Sequence, residues 1–334
     1  MGKKIAGFFL KAILPLGVGV YLFWHFFSSM TIQAKKIFYQ TLGEVDYSWI
    51  ILSLILALAS YISRAYRWKF ALEPLGYNTK NLNRFHAVMI GYLVNLTLPR
   101  AGEASRALVL YRADGVPFAK GFGTIISERI VDMFFLVIIT CSALFLGFDD
   151  FEKIKLIIQA NFISDESGST NYLLYLFIAA MSIGLGLMLI RKVRIKVGLI
   201  IQDLFSSTVS IVKTKNPRAY ILHSLFIWVC FLVMFILPFY ALESTKDLPI
   251  SCMLLAFVAG SIGISLTNGG IGSFPLLVGI VVGYYLTDLP DERAIAIGNA
   301  LGMLIWVSQT VLLVLIGLIS WILVPKTPPS DEQI

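Results

Sequence analysis

The chain has 334 residues, of which 57% are hydrophobic and only 14% are charged. Soluble domains are about 45 to 50% apolar and about 25% charged, so this composition excludes a disordered chain, a collagen-like repeat and a soluble enzyme. The net charge of +7 is typical of basic cytoplasmic loops and does not indicate nucleic-acid binding. We therefore expect an all-α polytopic membrane protein.

Six apolar stretches are long enough to cross a bilayer, which requires about 20 residues each. In chain order they are residues 5–27, 49–66, 129–147, 172–190, 219–240 and 294–324. The first is similar to a signal peptide but has no clear small-residue cleavage site, so we interpret residues 1–28 as a retained N-terminal helix. Six crossings place both termini on the same side of the membrane.

Two further apolar regions, residues 85–98 and 250–286, do not fit this pattern. A helix of the first region measures roughly 21 Å, which is shorter than the hydrocarbon core of about 30 Å. The second region is interrupted by Asn268-Gly269-Gly270-Ile271-Gly272. We predict that both are re-entrant helical hairpins, whose non-helical tips are buried in protein or line a cavity.

Basic residues accumulate in two connections, and such connections face the cytoplasm. They follow the second and fourth spans: Arg64, Arg67, Lys69, Lys80 and Arg84, then Arg191, Lys192, Arg194, Lys196, Lys213, Lys215 and Arg218. Residues 171–216 are interpreted as a connecting span and a basic segment, which either lies in the interface or is a solvated linker. Both termini are predicted to be cytoplasmic.

An internal repeat relates the two halves of the chain, residues 47–147 and 217–324. Leu96-Thr97 precedes Gly102 with the same spacing as Leu266-Thr267 precedes Gly272. Because the predicted hairpins enter from opposite sides, the halves are expected to be inverted repeats within one membrane domain, residues 1–334. Inverted repeats with broken helices are typical of transporters.

Charges near membrane depth usually face a bundle interior or a wet cavity. Arginine favours phosphate, which its guanidinium binds through two parallel hydrogen bonds. The predicted lipid-phosphate ligands are Arg100, Arg106, Arg129 and the backbone at Gly269, Gly270 and Gly272, with Glu103, Glu128 and Asp132 as charge partners. The alternative is structural: the arginines pair with these acids or extend to anionic lipid, and the glycines only allow close helix packing.

Several other residues have predicted supporting roles. Asn95, Pro99, Gly102 and Asn268 are assigned to the hairpin tips, where the asparagines cap half-helices. Arg64, Arg67 and Trp68 are interpreted as an interfacial anchor. The three cysteines and three histidines lack metal-ligand spacing, so no metal or cofactor is expected. Catalytic motifs are absent from the sequence, and we expect no enzymatic activity.

Four segments together resemble the flippase-like transmembrane domain of lysylphosphatidylglycerol synthases. They are Arg64-Ala65-Tyr66-Arg67-Trp68, Asn95 with Pro99-Arg100-Ala101-Gly102-Glu103-Ala104-Ser105-Arg106, Glu128-Arg129-Ile130-Val131-Asp132, and Gly269-Gly270-Ile271-Gly272. The resemblance implies a prokaryotic inner-membrane protein that moves phospholipid-type molecules between leaflets. The chain is expected to be a standalone member without the soluble aminoacyltransferase domain.

Three functional hypotheses remain open at this point. The first is translocation of an anionic or zwitterionic phospholipid, or of another lipid-linked phosphate, by alternating access. The second is a non-transporting membrane scaffold for a glycosyltransferase or lipid-modifying enzyme. The third is transport of small anions or isoprenoid phosphates, since any phosphate suits the arginines.

Overall fold

The computed structural model describes residues 31–98, 101–147 and 214–325, together with Trp24 and Ser28. The predicted span 5–27 apart from Trp24, the predicted span 172–190, and the site residues Pro99 and Arg100 lie outside the described residues. Within those ranges the secondary structure is helical. The α-helices are α1 (Ile32–Gly43), α2 (Tyr47–Leu72), α3 (Asn81–Thr97), α4 (Gly102–Asp114), α5 (Phe118–Leu146), α6 (Pro217–Ile236), α7 (Ile250–Leu266), α8 (Ser273–Tyr285) and α9 (Asp291–Leu323).

Four of these helices are long and apolar enough to cross a membrane. They are α2, α5, α6 and α9, where α2 and α6 are each extended by a short 3₁₀ turn. Many of their large apolar side chains are exposed, for example Phe134 and Leu222, which is the expected state of a surface in contact with lipid. The prediction of a polytopic helical membrane protein is confirmed.

The short helices form two hairpins, one of α3 with α4 and the other of α7 with α8. Asn83 Nδ2 donates to Asp114 Oδ1 at 2.8 Å, which joins the bases of α3 and α4. Tyr285 Oη donates to Ser251 Oγ at 3.3 Å, which joins the bases of α7 and α8. The second hairpin therefore has the predicted extent. The first is larger than residues 85–98, which cover only α3, because the charged helix α4 supplies the returning arm.

The helices α2 to α5 form a first set and α6 to α9 a second set with the same order. The first arms, α3 and α7, both have 17 residues, and the second arms, α4 and α8, both have 13. The packing is reciprocal: α5 of the first set packs on α7 of the second, and α9 of the second packs on α3 of the first. Reciprocal contacts of this kind are expected when two units, here the two sets of helices, are related by a two-fold axis.

The long helices α2 and α6 lie side by side and run in opposite directions. Near the start of α2, Ser53 Oγ donates to the Met234 carbonyl at 2.7 Å, whereas near its end Arg67 Nη1 donates to Ser224 Oγ at 2.9 Å. The hairpins that follow these two helices thus enter from opposite faces of the molecule. We name these the Leu72 face and the Tyr47 face. This is the arrangement of an inverted repeat.

Two predicted span boundaries are wrong, and both errors have the same cause. Helix α2 continues to Leu72 instead of ending at residue 66, and α5 begins at Phe118 instead of residue 129. Charged residues at the edge of each apolar stretch were interpreted as the ends of spans. In the structure they lie within continuous helices, so Asp132 occupies the middle of α5.

Candidate functional site

The tips of the two hairpins meet inside the molecule. Gly269 and Gly270 have φ angles of 61° and 80°, which interrupt the helical path between α7 and α8. A Cβ atom built on Gly269 would lie 2.5 Å from Leu96 Cδ2 at the end of α3. Trp306 Nε1 of α9 donates to the Gly269 carbonyl at 2.7 Å and holds the tip in place. The broken second hairpin thus contacts the end of the first.

The arms of the first hairpin approach each other closely near its tip. Asn95 Oδ1 accepts a hydrogen bond from the Gly102 N–H at 2.7 Å, and this contact joins α3 to the first residue of α4. A Cβ atom on Gly102 would lie 2.5 Å from Asn95 Cγ, and one on Gly91 would lie 2.5 Å from Arg106 Cγ. Glycine at both positions lets the arms pack backbone to backbone.

A cavity of about 740 Å³ lies between the tips and the long helices. Its polar lining includes Asn95, Glu103 and Arg129 from the first set and Thr267 and Gly269 at the second tip. The remaining lining is largely apolar and aromatic, and it includes Tyr61, Tyr92, Phe231, Phe257, Phe274 and Trp306. One chamber therefore brings together predicted site residues from both halves of the chain.

Arg64 and Arg67 are not an interfacial anchor, and this prediction is corrected. Arg64 Nη1 donates to Asp132 Oδ2 at 2.9 Å, and Arg67 Nη1 donates to Asp132 Oδ1 at 3.1 Å. Both arginines are buried, as is Trp68, whose Nε1 donates to Thr124 Oγ1 at 2.8 Å. The prediction failed because these three residues lie on the face of α2 that packs inside the bundle, where a charge must be paired.

Arg106 is buried too and does not line the cavity. Its Nη2 donates to Glu128 Oε2 at 3.1 Å, and its guanidinium lies 4.3 Å from the centre of the Trp68 ring. Arg67 Nη2 lies 3.8 Å from the same Glu128 oxygen. Glu128 therefore pairs with two arginines, and an aromatic ring covers one of them.

Arg129 differs from these three arginines because it lines the cavity. Its side chain is 39% exposed, whereas the other three side chains are nearly inaccessible. Arg129 Nη2 contacts Glu103 Oε1 at 2.9 Å, and Nη1 lies 3.6 Å from Asp132 Oδ2. Glu103 therefore pairs with Arg129, whereas Arg106 of the same helix pairs with Glu128. The cluster of described residues has one more arginine than carboxylates: Arg64, Arg67, Arg106 and Arg129 against Glu103, Glu128 and Asp132.

This charge is confined to the first set of helices. In the described helices of the second set, no Asp, Glu, Lys or Arg occurs beyond the first turn of α6 and α9, and α7 and α8 contain none. An apolar cluster that includes Val278, Leu301 and Ile305 fills the second set instead. The first set thus contains a buried ionic cluster beside its own apolar core, whereas the described helices of the second set contain an apolar core without such a cluster.

Sequence reasoning missed several residues around this site. Ser224 Oγ of α6 accepts a hydrogen bond from Arg67, and Trp228 Nε1 of α6 donates one to Asp132. Tyr61, Tyr92 and Gln309 line the cavity. The signal that could have revealed the buried cluster is the pair of arginines three residues apart in an apolar helix, because charges within spans face the interior. The aromatic lining gave no such signal, since aromatic side chains are common throughout membrane helices.

The fold and the cavity define a polytopic helical membrane protein with two opposed hairpins around a charged chamber. Its chain belongs to the family described as the lysylphosphatidylglycerol synthase TM region, whose model matches residues 12–317.

Two curated relatives match shorter segments. A UPF0104 membrane protein of Methanocaldococcus jannaschii is 33% identical over 87 residues, which are 25% of this chain and 26% of the relative. The glycosyltransferase AglD of Haloferax volcanii is 31% identical over 93 residues, which are 28% of this chain and 15% of the relative. The chain therefore matches about a quarter or less of the length of these relatives. No solved structure matches the chain.

Proposed function

We propose that this protein translocates a phospholipid or another lipid-linked phosphate between the leaflets of a membrane by alternating access. The observation that carries the proposal is the position of Arg129, which faces the cavity where the two hairpin tips meet. A lipid phosphate in the cavity would bind this guanidinium, and the adjoining apolar wall would contact apolar parts of the lipid.

The excess positive charge of the cluster supports an anionic ligand. Buried charges without partners are costly in a low-dielectric interior, so a phosphate that neutralises the excess arginine stabilises the site. At the second tip, Thr267 and Gly269 line the same cavity and add polar groups to it. Anionic and zwitterionic phospholipids both carry the phosphate that this site would bind.

The opposed hairpins support transport as the activity. Each hairpin enters from a different face, and the two contact each other at Leu96 and Gly269. Movement of one set of helices against the other would open the cavity to one face at a time, as in transporters built from inverted repeats. We propose a transport cycle without any catalytic reaction by this chain.

The distribution of charge supports an orientation in a prokaryotic inner membrane. Described basic residues on the Leu72 face are Lys69, Lys80, Arg112, Lys120, Lys215 and Arg218, against Glu73 and Asp114. The Tyr47 face has an excess of acids: Glu44, Asp46, Glu243, Asp247, Asp288, Asp291 and Glu292, against Lys246 and Arg293. By the positive-inside rule, we propose that the Leu72 face is cytoplasmic.

The test is leaflet exchange in reconstituted vesicles. Purified protein is incorporated into vesicles with an acyl-labelled fluorescent phosphatidylglycerol, and membrane-impermeant dithionite then bleaches the accessible pool. We expect wild-type protein to expose label from the inner leaflet and Arg129→Ala to lose most of this activity. Arg112→Ala removes the same charge from an exposed position on α4 and should retain exchange. Equal rates for Arg129→Ala and wild type would contradict the proposal.

A second candidate is a non-transporting scaffold for a glycosyltransferase or lipid-modifying enzyme. The observation that favours it is the local similarity to a protein named as a glycosyltransferase. In this case the cavity would hold a lipid-linked phosphate for a partner enzyme. A stoichiometric enzyme that co-purifies with the chain, combined with no leaflet exchange, would support the scaffold.

A further inference from the structure

The ion pair between Arg129 and Glu103 joins α5 to α4 in the wall of the cavity. The two side chains lie 2.9 Å apart, are 39% and 25% exposed, and both line the chamber. A carboxylate and a phosphate present similar oxygens to a guanidinium. A lipid phosphate that reaches Arg129 must therefore compete with Glu103.

Glu103 differs in this respect from the other two carboxylates of the cluster. Asp132 accepts from the buried Arg64 and Arg67, and Glu128 pairs with the buried Arg67 and Arg106. These contacts fix Asp132 and Glu128 in the bundle. Glu103 is less buried and lies near the tip of the hairpin, on the first turn of α4.

We propose that Glu103 is a positioning residue that exchanges with the lipid phosphate at Arg129 and thereby promotes its release. The inference rests on the proposed function, because it assigns a role in the transport cycle. When the phosphate leaves, Glu103 returns to Arg129, so the guanidinium regains its closest carboxylate partner at 2.9 Å, whereas Asp132 lies 3.6 Å away. Release is often the slow step of a cycle, and a carboxylate that stabilises the empty site accelerates it.

Removal of this carboxylate should change binding and transport in opposite directions. Glu103→Gln keeps the size of the side chain but loses its charge. We expect detergent-solubilised Glu103→Gln to bind the acyl-labelled phosphatidylglycerol about tenfold more tightly than wild type, within the usual range for two coupled ligands. We expect leaflet exchange in vesicles to become slower, because the phosphate has no competitor.

Three controls separate this role from a general loss of structure. Glu44→Gln removes an exposed carboxylate outside the cavity and should change neither binding nor exchange. Glu103→Asp keeps the competing charge on a shorter side chain and should shift both measurements from the Glu103→Gln values back toward those of wild type. A labelled diacylglycerol, which has no phosphate, should bind wild type and Glu103→Gln equally.

The two proposals fail in different ways. If Arg129→Ala exchanges lipid like wild type, the proposed function is wrong, whereas the binding comparison of Glu103→Gln with wild type still reports competition at Arg129. If Arg129→Ala is inactive but Glu103→Gln binds phosphatidylglycerol no more tightly than wild type, or exchanges it no more slowly, the role of Glu103 is wrong and the proposed function stands.

Discussion

Burial determines whether an arginine of this cluster can contact a ligand, and Arg106 is the example of one that is buried. Its guanidinium lies between the Trp68 ring and Glu128, away from the cavity that Arg129 lines. A buried ion pair contributes little net stability relative to a well-packed apolar pair, but removal of one partner leaves an uncompensated charge. Substitution of Arg106 and Glu128 therefore tests whether the ionic core is required for folding.

Arg106→Leu alone should lower the free energy of unfolding by about 1 to 3 kcal/mol, because Glu128 loses its closest partner and keeps only the contact with Arg67 at 3.8 Å. The double variant Arg106→Leu with Glu128→Leu should recover to within about 1 kcal/mol of wild type, since neither charge is then left unpaired. Unfolding by SDS in mixed micelles measures both values. A double variant that is as unstable as the single variant would show that the ionic core is needed for the fold itself.

At the scale of the helices, close backbone packing sets the shape of the first hairpin. Gly102 at the start of α4 faces Gly91 and Asn95 on α3, and an added Cβ atom would overlap both. In a packed interior such an overlap is relieved only if the arms move apart. Separation of the arms would also stretch the hydrogen bond between Asn95 and the Gly102 N–H.

Gly102→Ala is therefore expected to lower the free energy of unfolding by about 1 to 3 kcal/mol, the usual cost of overpacking. Gly43→Ala is the matched control, because a Cβ atom there has no neighbour within 4 Å and should change stability by less than about 0.5 kcal/mol. Both values come from the same SDS titration. Equal stabilities of the two variants would mean that the arms have room to separate.

The hydropathy pattern predicted the helical class, the membrane-spanning character and the second hairpin, because these depend on local runs of apolar residues. It misplaced the end of α2 and the start of α5, since hydropathy does not distinguish a charge at a span end from a charge paired inside the bundle. The pairing of Arg64 and Arg67 with Asp132 is a contact between residues more than 60 positions apart. Such a contact depends on tertiary packing, which a single sequence does not specify.

Only part of the candidate site could be predicted, because tertiary packing decides which of the charged side chains face the cavity. The sequence indicated Glu103, Arg129 and Gly269, and all three line the cavity. It did not separate Arg129, which is accessible, from Arg106, which is buried, because both are arginines at helical positions next to an acid. Burial depends on which helix covers each face, and α2 covers Arg106 through Trp68.

At the scale of the whole molecule, the two sets of helices serve as a comparison for each other. The second set folds with an apolar core where the first set has four arginines and three carboxylates. The same helix arrangement therefore forms with and without a buried ionic cluster. That asymmetry agrees with a ligand site in the first half and a tip in the second that closes against it.

The inverted relation of the two sets predicts which exposed positions share a side of the membrane. Glu44 precedes α2 and Glu243 follows α6, and Asp46 N–H donates to the Ala241 carbonyl at 2.9 Å between them. Glu44→Cys and Glu243→Cys should therefore react with an impermeant maleimide added outside intact cells. Lys80→Cys and Lys215→Cys, on the basic Leu72 face, should react only after permeabilisation.

This labelling requires a background in which Cys141, Cys230 and Cys252 are replaced, because Cys141 is exposed. Two outcomes would be informative in different ways. If all four positions react with the reverse pattern, the inverted relation holds and the Leu72 face lies outside. If Glu44→Cys and Glu243→Cys react from opposite sides, α2 and α6 do not cross the membrane antiparallel, and alternating access through opposed hairpins loses its structural basis.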